Sequence, residues 1–95
     1  MAEMIRPGQA GTLESSDIMI TIAPAKPGAG LTIELASPVI KQYGDQIRKV
    51  IGDTLAENGV GDALIHANDK GALDCTIKAR VLAALSRSRA QEVAK

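Results

Sequence analysis

Isoleucine at every second position, Ile18, Ile20 and Ile22, with Met19 and Thr21 between, confines this part of the chain to a half-buried strand. Leu31, Ile33 and Leu35 repeat the pattern, with Thr32 and Glu34 on the opposite face. A strand that is apolar on one side needs a second layer to cover it. The next segment supplies one: Ile40, Tyr43, Ile47, Val50, Ile51 and Leu55 recur at three- and four-residue steps, the stripe of an amphipathic helix. Lys41, Gln42, Asp45, Arg48, Lys49 and Asp53 fill its other side. Ser37-Pro38 marks the start, because a serine hydroxyl caps free backbone N–H groups and proline is tolerated at the first helical position. Asn58-Gly59 marks the stop, since glycine takes the left-handed conformation that closes a helix.

The remaining pieces follow from the same periods. Pro24 to Gly30, with two prolines and two glycines, reads as a hairpin loop joining the first two strands. Its Gly28-Ala29-Gly30 triplet is no phosphate cradle, lacking a third glycine and opening no helix. Ala63 to Ala67 is a short third strand, followed by the turn-forming Asn68-Asp69-Lys70-Gly71. Beyond it, Leu73, Ile77, Val81 and Leu85 keep a four-residue step and favour a helix of about fifteen residues that ends in a basic tail. Cys75, Ile77, Ala79 and Val81 also alternate, which leaves open a hairpin strand before a shorter helix. Residues 1–10, with Pro7 and Gly8, read as a loose arm leading to a short extended piece around Gly11 to Glu14. The expected fold is α+β: one two-layer domain over residues 1–95, its antiparallel or mixed sheet of three to four strands covered by two amphipathic helices. If the strands flanking the first helix are parallel, their connection crosses over right-handed.

A chain of 95 residues has room for one core. Tyr43 is its only aromatic residue, so that core is aliphatic, and single-strand nucleic-acid binding, which stacks bases on aromatic rings, is disfavoured. Eleven basic residues against eleven acidic ones leave no net attraction for phosphate backbones, so no nucleic-acid partner is expected. No stretch approaches the roughly 20 apolar residues that cross a bilayer, so no membrane partner is expected either. The single cysteine, Cys75, has no internal partner, and MAEMIRPGQA lacks the apolar run of a signal peptide. A cytoplasmic address is expected.

Few residues could carry chemistry. His66 and Cys75 are the only candidates for a thiol nucleophile with its base. A histidine at the end of a short strand is ordinarily structural, and a lone cysteine near an apolar helix face ordinarily packs as a small hydrophobe. One histidine and one cysteine nine residues apart do not supply the spaced ligands of a zinc site, so neither a catalytic residue nor a metal is assigned. The segment Gly11-Thr12-Leu13-Glu14-Ser15-Ser16-Asp17 stands apart, with two hydroxyls set between two carboxylates just before a hydrophobic strand. Its plain reading is a polar strand entry in which Ser16 or Asp17 bonds to local backbone.

That segment and two others carry a resemblance. GTLESSD followed by IMITIAP at 18–24, QYGDQIRKVI at 42–51 and NDKGALDCTIKAR at 68–80 resemble, in order and spacing, the acyl carrier (gamma) subunits of citrate lyases. The match runs from about Gly11 to Leu85. In that family the serine after TLE carries 2'-(5''-phosphoribosyl)-3'-dephospho-CoA through a phosphodiester, which implies attachment at Ser15. Ser16, where many members have glycine, is the second choice. Glu14 and Asp17 match neighbours of the modified serine and are expected to help the attaching enzyme recognise it. The resemblance further implies a non-catalytic subunit that presents acetyl and citryl thioesters to the alpha and beta subunits during cleavage of citrate to acetate and oxaloacetate. It also implies service by a prosthetic-group transferase and an acetylating ligase. The Asp-Ser-Leu motif of phosphopantetheine carriers is absent. The malonate decarboxylase carrier resembles the chain more weakly, and an unmodified interaction module is the alternative of a different class.

Overall fold

The computed structural model describes residues 4–89. Its elements run in the order β1 (Gly8–Ala10), β2 (Ile18–Pro24), β3 (Leu31–Ala36), α1 (Ile40–Glu57), β4 (Ala63–Asp69) and α2 (Asp74–Arg89). The strands form one mixed sheet in the order β1-β2-β4-β3. β2 is antiparallel to both β1 and β4, pairing Ile22 with Gly8 and with Ile65, while β3 is parallel to β4 and pairs Ile33 with Ile65. The α+β class, the mixed sheet and the two helices are as the sequence implies.

Ile22, Ile65 and Ile33 therefore lie in one row across three strands, and the alternation of each strand turns its apolar residues to the same face. There they meet Ile47, Ile51 and Leu55 of α1 and Ile77, Val81 and Leu85 of α2. Burying each such side chain contributes about 1.5–3 kcal/mol, so this aliphatic layer carries most of the fold's stability. Among the described residues, no helix or strand covers the opposite face, which carries Thr21, Glu34 and His66.

The segment from Pro24 to Gly30 is not a hairpin loop. β4 lies between β2 and β3, and the loop carries the chain across the place that β4 fills. Gly30 is tied there, its N–H donating to Asp62 Oδ1 (2.7 Å) and its carbonyl accepting the Ala63 N–H (3.0 Å). Loop composition serves a crossing as well as a hairpin. What decides is the demand of β4, buried at every second residue, for a partner on each edge.

The short N-terminal strand also falls elsewhere. It is Gly8–Ala10, inside the segment read as an arm, whereas Gly11 to Glu14 is irregular. Gly8 is buried against α2, where a Cβ would collide with the Ala84 carbonyl and the Ser88 amide, so only glycine lets β1 approach. Residues 1–3 of that arm, and 90–95 of the basic tail, lie outside the described residues.

Helix boundaries depart from expectation in detail. α1 begins at Ile40 rather than at Pro38, because Ser37 Oγ accepts the Val39 N–H and holds a turn ahead of the helix. It stops where expected, with Gly59 at φ 77°. Ile40 and Tyr43, placed on the buried stripe by spacing alone, are exposed, and the buried face of α1 begins only at Gly44 and Ile47. β4 runs to Asp69, two residues past the expected Ala67. The segment after it is a helix from Asp74 and not a hairpin strand.

Candidate functional site

The register brings three junctions to one end of the sheet. Ile18 of β2 pairs with Asp69 of β4, and Ala36 of β3 with Asn68, so the entry to β2, the start of α1 and the start of α2 converge. Ser15 lies in this cluster.

Its turn is built from the sequence upward. Gly11 leaves β1 at φ 99°, where a Cβ would strike the Ile18 carbonyl. Thr12 Oγ1 accepts the Glu14 N–H (3.1 Å) and donates to Asp17 Oδ2 (2.7 Å). The Asp17 N–H closes the turn on the Glu14 carbonyl at 3.2 Å. Asp17 Oδ1 accepts the Ile18 N–H (2.7 Å), and Arg80 of α2 clasps both carboxylate oxygens from Nε and Nη2, each at 3.0 Å. A bidentate guanidinium fixes orientation as well as distance. These hydrogen bonds, Arg80 first and then the Thr12 hydroxyl and the Ile18 amide, hold the Asp17 carboxyl well below the usual carboxylate range, while its partial burial pushes weakly the other way.

Asp17 is thus spent inward, its side chain only 13% exposed, and the exposed carboxylate of the segment is Glu14. The turn is pinned a second time. The Ser16 N–H donates to the Lys70 carbonyl (2.8 Å), and the Lys70 N–H returns a bond to the Asp17 carbonyl (2.9 Å). Ser16 sits at φ 65°, the only described non-glycine residue in the left-handed region. A glycine would occupy this position without strain.

Ser15 itself is exposed at the turn, with Ser16 exposed beside it. Ser15, but not Ser16, lines an open groove of about 650 Å³ together with Leu13, Ser37, Pro38, Asp69 and Lys70. Asp69 is 1% exposed. Its two oxygens accept the Ser37 hydroxyl (2.7 Å) and the Ala72 N–H (2.9 Å), which joins the start of α1 to the approach to α2. Both helices begin at this end, and α1 has neither a side-chain cap on Val39 nor an acidic residue in its first turn. Ser37, Pro38 and Lys70 line the groove with Ser15, so the positive end of the α1 dipole and a basic residue lie beside the serine, an environment that favours an anionic group.

The other sequence candidates lie apart. His66 is exposed on the uncovered sheet face, with Nδ1 2.9 Å from Glu34 Oε1. Cys75 is on α2, on the far side of the sheet, so the two do not form a nucleophile and base. Cys75 is also exposed instead of packed, because it precedes the buried Ile77 by two residues and so leaves the apolar stripe. Gly28 and Gly30 lie in the loop at the other end of the sheet. Sequence reasoning missed Lys70, Asp69 and Arg80 as parts of the site. All three fall within NDKGALDCTIKAR, a segment read as a turn, a helix and a family match but not as part of the site.

This small sheet-and-helix domain with an exposed serine on a braced turn has the form of an acyl carrier. Residues 5–88 match the carrier family described as malonate decarboxylase delta subunit. The chain is 57% identical over 86 residues to the citrate lyase acyl carrier protein of Lacticaseibacillus casei, covering 90% of this chain and 83% of that one. It is 56% identical over 84 residues to that of Streptococcus mutans (88% and 81% covered), and 50% identical over 86 residues to that of Cronobacter sakazakii (90% and 87% covered). The fold alone is shared with a chain of a Pseudomonas malonate decarboxylase hetero-tetramer in complex with malonate, at TM-score 0.68 and 19% identity over 87% of this chain and 88% of that one. The chain belongs to the citrate lyase acyl carrier proteins.

Proposed function

We propose that this chain is the carrier subunit of a citrate lyase and bears 2'-(5''-phosphoribosyl)-3'-dephospho-CoA on Ser15 through a phosphodiester. The observation that carries the assignment is the exposed Ser15 on a turn braced to α2 and to Lys70 at the end of β4, in a groove shared with Lys70 and the approach to α1. The group supplies a thiol that holds acyl groups as thioesters. The chain's own residues position it: Asp17, Arg80 and Thr12 fix the turn, Ser16 bends it, and Lys70 and the N-terminus of α1 balance phosphate charge.

A carrier of this kind needs no catalytic residue of its own, since tethering raises the local concentration of the thiol at the active sites of its partners. Those partners are the alpha and beta subunits of the lyase, with a prosthetic-group transferase and an acetylating ligase acting on the carrier in the cytoplasm. No helix among the described residues is long and apolar enough to cross a membrane.

Intact-mass measurement after co-expression with the attaching enzymes tests the assignment. One CoA-derived group is expected on the native chain and on Ser16→Ala, and none on Ser15→Ala, whose stability should stay within about 0.5 kcal/mol as for other exposed substitutions. Full loading of Ser15→Ala with the group mapped to Ser16 would assign the other hydroxyl. An unloaded native chain in an assembly that still cleaves citrate would refute the carrier reading.

A further inference from the structure

Beside the serine groove lies a second, more enclosed slot of about 390 Å³ between the first turn of α1 and the approach to α2. Val39, Tyr43, Ile47, Ala72 and Leu73 give it apolar walls, and the carboxylate of Asp69 lines both cavities. Tyr43 and Leu73, which the helical period would bury, are 56% and 70% exposed. Gln46 Nε2 donates to Asp74 Oδ2 at 2.9 Å, placing a side-chain amide and a carboxylate at the edge.

Resting on the carrier reading, we propose that this slot is the binding site for the adenine base of the Ser15-linked group, with Tyr43 as its stacking platform. Three observations support a base as occupant. The slot adjoins the groove that contains Ser15, and in the proposed group only the phosphodiester and one ribose stand between the serine and the adenosine. Its walls offer an aromatic ring and a leucine, the flat and apolar surfaces on which a base stacks. Asp74 and the Gln46 side-chain oxygen offer hydrogen-bond acceptors to an exocyclic amine at the slot's edge. Holding the base shortens the free tether to the diphosphate and pantetheine, which raises the thiol's effective concentration near the carrier.

The chain has one tyrosine and no tryptophan, so its emission reports on Tyr43 alone. Loaded and unloaded chains, verified by intact mass, are to be compared by tyrosine fluorescence and by proton NMR of the adenine resonances. Stacking predicts emission at least about twofold lower in the loaded chain, with NOEs from the Tyr43 ring to the adenine protons. Tyr43→Ala should sharpen the adenine lines to those of a free nucleotide, and Tyr43→Phe should retain both the broad lines and the NOEs from the ring at position 43 to the adenine protons. Equal emission in the two forms together with free-nucleotide line widths in the native loaded chain would overturn the proposal. So would quenching that arises only on adding the large subunits, which would make the slot a protein-docking surface. A chain that takes up no CoA-derived mass takes the carrier reading down as well, and intact mass separates that failure from the others.

Discussion

The two ends of the sheet are built differently. At the serine end, side chains from distant parts of the sequence lock the junctions together: Arg80 on Asp17, Ser37 on Asp69, and a pair of backbone bonds between 16–17 and Lys70. At the other end, the loop from Ala25 to Gly30 is fastened mainly where Gly30 meets Asp62 and Ala63. A carrier must present one hydroxyl in a fixed place, and the braced end is the one that holds Ser15. The loop at the other end has only to carry the chain across β4, while the joint between α1 and β4 beside it is held by Arg89 on the Asn58 carbonyl.

The largest effect should come from a substitution that serves both ends. Ile65→Ala removes the centre of the isoleucine row and is expected to cost about 2–5 kcal/mol by urea denaturation, with amide exchange accelerated at both ends alike. Faster exchange at one end only would show that the sheet does not unfold as a unit. Asp69→Ala should cost about 1–3 kcal/mol, because it leaves the Ser37 hydroxyl and the Ala72 N–H without their acceptor, and its exchange effect should be confined to the serine end.

Arg80→Ala separates bracing from stability. Exchange at the Ser16 and Lys70 amides should quicken while Ile65 stays protected, and loading of Ser15 should slow without a change in circular dichroism. The pH dependence has a defined sign. Asp17 is depressed in the folded chain, so its contribution is fully present above the ordinary carboxylate value of 3.8 and is lost as pH falls through the lowered folded value. Native chain and variant should therefore differ most near neutral pH and converge in acid, which an acid titration of thermal stability would check. The smallest effect belongs to the loose end. Doubling the loop at 25–30 should cost only about 0.6 kcal/mol and leave Ser15 loading unchanged. Slower loading of that insertion variant would mean that the two ends communicate.

Much of this was legible in local patterns. The alternation at Ile18 to Ile22 and the stripe Ile47, Ile51 and Leu55 announced the strand and helix that form the core. The exposed serine segment stood out by composition and matched a family by spacing. What escaped was non-local. The bond of Asp17 to local backbone could be read from the segment, but nothing in GTLESSD reveals that Arg80, sixty-three residues on, takes up its carboxylate. Tyr43 and Leu73 read as core because periodicity assigns a helix face without saying where the layer beneath it ends.

Local pattern was enough for the strands β2, β3 and β4, the helix α1 and the aliphatic core, since each follows from the period of side chains a few residues apart, and the family resemblance pointed to the serine. The entry of β4 between β2 and β3, the bracing of the serine turn by Arg80 and the Lys70 backbone, and the apolar slot beside it were settled by packing between distant segments. Strand order and side-chain pairing depend on which distant surfaces exclude water together, and no local pattern encodes that choice.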